Sequence, residues 1–350
     1  MKIAILPVDS QFQPQKAIHV YPSHSRDYGV EQDFLIWLKN HPDILTNDLE
    51  SADWHYLPIY WTRWYFNNVL GKEGKVDLKA ECDRVIIDDQ KTFTICQSAG
   101  GAKVDIGKTI QFQSSPLVHT PFLIPELSLH PGLPIIKPRK KFSASFVGRI
   151  STHPARTDFK NYLEKDPGVY FYDGKKGIHF YTQIMLKSYI SLCPRGAGMG
   201  SFRLYESLFA GVTPLVFGDF DSRPFKKWID WDNFSFFTSD LEECRQIIRN
   251  TAPETLIGMG KIAKLEYSMH IDFQKWCKFV LMELEDLKNS NEKSTRKISY
   301  PYIDYFHQRW QGKAPKKLNQ VSLFARNIRK YFYRHYKRSG LRKLRKGRIN

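Results

Sequence analysis

Short apolar runs rich in β-branched and aromatic residues alternate along this chain with longer stretches whose apolar positions recur at helical spacing. The runs "KIAILPV", "DWHYLPIYW", "RVIID", "TFTIC", "SASFVG", "VYFYDG", "YISLCP", "TPLVFGD" and "FSFF" have the length and composition of buried strands. Between them, "VEQDFLIWLKN", "SDLEECRQIIRN" and "DFQKWCKFVLMELEDLK" read as amphipathic helices, and Ser239 with Glu242 predicts a capping box at the start of the second. This alternation predicts an α/β fold of parallel sheets covered by helices. The proline- and lysine-rich "PGLPIIKPRKK" (131–141) reads as a linker, and "KNSNEKSTRK" (288–297) as a second break. No internal sequence repeat is evident.

Composition sharpens this picture. The 350 residues suffice for two domains, and 42% hydrophobic with 14% aromatic content indicates a globular chain. The net charge of +17 is concentrated at one end, with 14 Lys or Arg and no acidic residue from Lys313 to Asn350. Residues 1–312 keep 39 basic against 36 acidic side chains, a balance of +3. Five scattered cysteines without a CxxC or Cys/His cluster predict neither a disulfide framework nor a zinc site, and point to a reducing compartment. The opening "MKIAILPVDS" reads as a buried strand rather than a signal peptide, and no stretch has the length of a membrane span.

Candidate chemistry concentrates in "CPRGAGMGSFRLYESLFAG" (193–211). An apolar strand leads into a glycine-rich turn containing Gly196 and Gly200, then a helix with Ser201 at the N-cap position. Such glycines permit close approach of backbone to a ligand, and the amides of a helix N-terminus favour a phosphate. Arg203 and Arg195 supply guanidinium donors for it, and Glu206, one turn beyond Arg203, can accept from two ribose hydroxyls. The same residues also fit a capped helix after a tight turn, with Arg203 and Glu206 as an i,i+3 surface ion pair.

"SYISLCPRGAGMGSFRLYESLFAGVTPLVFGD" closely resembles the signature of exostosin-like glycosyltransferases: a Cys-Pro-Arg-Gly turn, Ser-Phe-Arg, a helical Glu, Ala-Gly, and a strand ending near Asp. "SASFVGRISTHPARTDFKNYL", "RPFKKWIDWDNFSFF" and "LESADWHYLPIYW" are similar to further segments of that family. The resemblance is specific over 142–235, looser over 20–130, and absent from about 290 onward. It implies a GT-B fold, two Rossmann-like domains facing across a cleft. The division would be 1–135 for the acceptor, 136–288 for the nucleotide sugar, and 289–350 for a linker, a possible return segment and a basic amphipathic tail. It also implies inverting transfer from a nucleoside-diphosphate sugar, usually UDP-linked, to a glycan or lipid-linked glycan without an essential metal or other cofactor. Arg203 would take the diphosphate and Glu206 the ribose, with Arg149 and Arg195 as further donor contacts.

The chain departs from the family in two respects. The family's animal and plant members have an N-terminal membrane anchor, which this sequence lacks, so a cytoplasmic protein is expected. Where relatives have a His-Asp pair, "TFTICQSAGG" has neither, so no catalytic base carries over. Candidates for the base are His24 and Asp27, then Glu31, Asp53 and Glu126. A rival, metal-dependent mechanism would use Asp219 and Asp221 of "GDFDS", an Asp-x-Asp arrangement of oxygen ligands, and would be sensitive to EDTA. A third reading is a noncatalytic nucleotide- or glycan-binding subunit of a polysaccharide synthase.

In the tail, Val321, Phe324, Ile328, Tyr331, Phe332 and Tyr336 recur at helical spacing opposite Arg and Lys. A basic amphipathic helix suits an anionic membrane surface, placing residues 316–350 as a peripheral anchor on the cytoplasmic face. Docking on the protein body and binding of nucleic acid are the alternatives. The near-neutral body argues against nucleic acid.

Overall fold

A computed structural model describes residues 1–17, 29–117, 119–127, 133–134, 137–174, 176–272 and 274–290. Two all-parallel sheets organise the described chain. The first has strands β1 (Ile3–Ile5), β2 (Trp54–Tyr56), β3 (Thr92–Cys96) and β4 (Ile110–Gln113), adjacent in chain order. In the second, β5 (Phe142–Gly148), β6 (Val169–Asp173), β7 (Ser188–Pro194), β8 (Thr213–Phe217) and β9 (Phe236–Thr238) lie in the order 6-5-7-8-9. From β5 the chain steps outward to β6, then returns to pair β7 on the opposite side of β5. The direction of winding therefore reverses between β5 and β7.

Helices cover both faces, as expected for parallel strands without a wet side. Over the first sheet, α1 (Val30–Lys39) packs Phe34 and Leu38 against Tyr56, Phe93 and Phe112. α2 (Trp61–Asn67) and α3 (Lys75–Val85) bury Trp61, Trp64, Leu78 and Cys82 in a second apolar cluster. On the second sheet, α4 (Pro154–Leu163) and α7 (Leu241–Asn250) form one cluster with Phe146, Leu192 and Leu215. α5 (Ile178–Leu186), α6 (Phe202–Ala210) and α8 (Pro253–Glu266) complete the second layer.

The last described helix, α9 (Cys277–Asn289), ties the two halves. Just before it, Trp276 is fully buried and stacked on Phe34 of α1, with ring centres 5.8 Å apart. Burying a side chain of this size contributes about 1.5–3 kcal/mol. Gln274 donates to the Asp33 carbonyl at 3.0 Å, and Lys288 pairs with Asp53 at 3.0 Å. One apolar core consequently runs from Ile3 and Phe34 through Trp276 to Leu204 and Phe279.

Three sequence expectations change. "RVIID" is not a strand: Leu78, Cys82 and Val85 continue the buried face of α3, and Ile87 beyond it is exposed. "IQFQ" is a strand that its glutamines conceal. Gln111 and Gln113 are buried there, and Gln111 Oε1 accepts the Ala102 amide at 2.8 Å. The cap of α7 lies one residue later than expected. Asp240 accepts the Glu243 amide at 2.8 Å and Glu243 accepts from the Thr238 hydroxyl, whereas Glu242 bonds Tyr162 and Arg245.

Candidate functional site

The reversal between β5 and β7 is a topological switch point, and it is in the crevice at the carboxyl ends of the strands there that open α/β sheets take their ligands. The segments leaving those ends carry Arg149 and Arg195 through Gly200, and α6 follows with Arg203 and Glu206. Every donor-site residue expected from the sequence therefore falls at or beside this crevice. His24, Asp27 and the tail lie outside the described residues.

The glycine turn packs against the first sheet. A Cβ on Gly198 would lie 2.3 Å from the Ser115 carbonyl oxygen, and one on Gly200 2.7 Å from that of Ser114. The Met199 amide donates to the Pro116 carbonyl at 2.8 Å and the Gly200 amide to Ser115 Oγ at 3.2 Å. Gly198 and Gly200 thus admit the segment that follows β4. The Arg195 and Gly196 amides are also committed, to the carbonyls of Phe217 and Gly200. What this region leaves for an anion is the first turn of α6 and the arginine side chains. Ser201 occupies the N-cap position with extended backbone, but its side chain makes no capping bond.

Arg203 is clamped between rings, its ζ-carbon 4.4 Å from the centre of Phe146 and 4.8 Å from that of Tyr181. Its guanidinium also donates to the Val147 carbonyl at the end of β5. Glu206 is 6% exposed and accepts from the Tyr181 hydroxyl, so it is not half of an exposed ion pair on the helix surface. Cation–π contacts and a buried charge-assisted hydrogen bond thus fix the two side chains on adjacent turns of α6.

Arg195 is buried and paired with Asp219, while its Nε has no hydrogen-bond partner. A buried guanidinium N–H left unpaired is costly, and an anion at the crevice would satisfy it. Partial burial opposes ionisation of Asp219, yet Arg195 holds its carboxyl below the usual range. Asp221 is bound by Arg223 at 2.9 Å and by Lys226 at 3.3 Å. The two aspartates are therefore each neutralised by a cation. Among the described residues no group of three His, Cys, Asp or Glu side chains is placed to hold a metal.

Arg156, which the sequence reading passed over, stitches the crevice together. It donates to the carbonyls of Arg195 (2.8 Å), Arg149 (3.1 Å) and Pro194 (3.3 Å). Its signal was an arginine in the first turn of a helix, against the usual preference for acidic residues there. Tyr181 carried no signal, because an aromatic residue in an apolar helix reads as core.

Of the described base candidates, Asp53 is engaged by the Lys2 amide and by Lys288. Glu31 is fully buried and accepts from Thr62 and Gln97. Burial pushes its carboxyl up to about 7 against these hydrogen bonds. Glu126 stands at the crevice. Burial, opposed by Arg156 and reinforced by Glu206, pushes it up to about 8, and its Oε2 has no hydrogen-bond partner beside Gly200.

Residues 107–250, from the last strand of the first sheet through α7, match the family model of the Exostosin GT47 domain. Over this stretch the chain is similar to exostosin-type glycosyltransferases. Over 93 residues it is 35% identical to an exostosin-1 homolog of Caenorhabditis elegans, covering 26% of this chain and 24% of that one. Over 113 residues it is 27% identical to a probable glycosyltransferase of Arabidopsis thaliana, covering 32% of this chain and 24% of the relative. The aligned stretches thus span about a quarter of these relatives. Among solved structures, the crystal structure of TarM aligns with a TM-score of 0.31 and 11% identity, over 60% of this chain and 58% of that chain. The exostosin-like domain includes all the donor-site residues above, as well as Ser115 and Glu126 from the first-sheet side of the crevice.

Proposed function

We propose that this chain is an inverting glycosyltransferase of GT-B type, transferring a sugar from a nucleoside-diphosphate donor, UDP-linked in the first instance, to a hydroxyl of a glycan or lipid-linked glycan. The observation that carries the reading is the convergence of Arg203, Glu206 and Arg195 at the point where the winding of the second sheet reverses. Arg203 in the first turn of α6, with Arg195 in the turn before it, would neutralise the diphosphate as it becomes the leaving group, and Glu206 would hold the ribose. The engagement of Asp219 and Asp221 by arginines favours guanidinium groups over a divalent cation in that role. Glu126, on the first-sheet side of the crevice, is in its ionised form the best placed of the described carboxylates to take the proton of the acceptor hydroxyl, a form that prevails only above about pH 8.

The setting proposed is the cytoplasmic face of a membrane, with residues 316–350 on the anionic surface. Five free, buried cysteines fit a reducing compartment. Among the described residues no helix is long and apolar enough to cross a membrane.

Calorimetric titration with UDP and GDP, with and without EDTA, tests the donor assignment. Saturable binding of one nucleotide, insensitive to EDTA and weakened at least about tenfold by Arg203→Ala and by Glu206→Ala, is the expected result. Normal nucleotide binding by the Arg203→Ala protein would defeat the assignment, and loss of binding in EDTA would restore the metal-dependent mechanism.

A further inference from the structure

The two donor-reading side chains share a neighbour that neither the family signature nor the spacing of the sequence singles out. Tyr181 lies on α5, beside the start of α6 and half-buried. One face of its ring lies 4.8 Å from the Arg203 guanidinium carbon, with Phe146 at 4.4 Å, and its hydroxyl donates to Glu206 Oε2. We propose that Tyr181 is a specificity-determining residue that couples the two halves of nucleotide recognition: its hydroxyl sets the preference for a ribose through Glu206, and its ring sets diphosphate affinity through Arg203. This rests on the donor-site reading above.

The physical basis is that the two contacts use different parts of one side chain. A carboxylate offers about four acceptor positions. The Tyr181 hydroxyl takes one of them and restrains rotation of the carboxyl group, so that a ribose diol would meet it in a defined orientation. In a site where Glu206 is 6% exposed, losing that donor leaves a buried charge less well satisfied and its rotation less restrained. The guanidinium of Arg203 has five N–H donors, of which the Val147 carbonyl takes one. Its plane is held between Phe146 and Tyr181 whether or not the tyrosine hydroxyl is present. Hydroxyl and ring are therefore separable by substitution: Tyr181→Phe removes the first alone, and Tyr181→Ala removes both.

The test is calorimetry of the full chain with inorganic pyrophosphate, UDP and 2′-deoxy-UDP, alongside thermal denaturation of each variant. Wild type is expected to prefer UDP to 2′-deoxy-UDP. In Tyr181→Phe, UDP affinity should fall about tenfold, 2′-deoxy-UDP affinity by less than about threefold, and pyrophosphate affinity should stay the same. In Tyr181→Ala, pyrophosphate binding should weaken as well. A purely structural role for Tyr181 would instead lower all three affinities together in Tyr181→Phe. That result, or a Tyr181→Phe protein with the wild-type ratio of UDP to 2′-deoxy-UDP affinity, overturns the coupling while leaving the donor site standing. A wild-type protein that binds UDP and 2′-deoxy-UDP alike overturns the ribose role of Glu206, and the coupling with it.

Discussion

Glu126 is held where its neutral form is favoured, by burial first and by the nearby Glu206. A carboxyl raised to about 8 keeps its proton in the folded chain after the unfolded chain has lost it. Its contribution to stability is complete below the unfolded value of 4.5 and is lost as pH rises through about 8. Relative to Glu126→Gln, which does not titrate, wild type should therefore lose on the order of 4 kcal/mol between about pH 5 and pH 8.5. Urea unfolding of both proteins at the two pH values measures this, and a constant difference between them would contradict the assignment. Glu31, raised in the same direction, is common to both proteins and cancels. At this scale the sequence was uneven. Arg203 and Glu206 were legible because they belong to a continuous motif. Tyr181 and Arg156 act through neighbours more than twenty residues away in the chain, which no local pattern records.

The element that most changed meaning is the turn between β7 and α6. Its glycines were legible as a demand for close approach, but what approaches could only be seen in three dimensions, because Ser114 and Ser115 lie more than eighty residues earlier in the chain. Gly198→Ala places a methyl group 2.3 Å from a backbone oxygen, a contact that only displacement of the turn relieves. It should cost at least about 2 kcal/mol in urea unfolding and weaken nucleotide binding. Gly177→Ala, whose added Cβ meets nothing within 4 Å, is the control, expected within about 0.5 kcal/mol of wild type. Among the strands, apolar composition found eight of the nine described. It missed β4, whose buried glutamines find their partners in a loop rather than in solvent.

For the whole molecule, the alternation of strands and helices was enough to read two parallel sheets, and the order 6-5-7-8-9 then places the crevice. The basic tail was legible only as charge and spacing, and it lies outside the described residues. Deleting 316–350 should abolish sedimentation with anionic vesicles while sparing activity on a soluble acceptor. Vesicle binding that survives the deletion would remove the anchor from the proposal. The amides of Met199 and Gly200, fastened to Pro116 and Ser115, carry a consequence at this scale. The loop that leads into the proposed nucleotide site is also the joint on which the opposite sheet leans, so a shift of one is felt by the other. By thermodynamic linkage, whatever factor a nucleotide contributes to tightening that joint, a ligand that tightens the joint from the far side must return to the nucleotide.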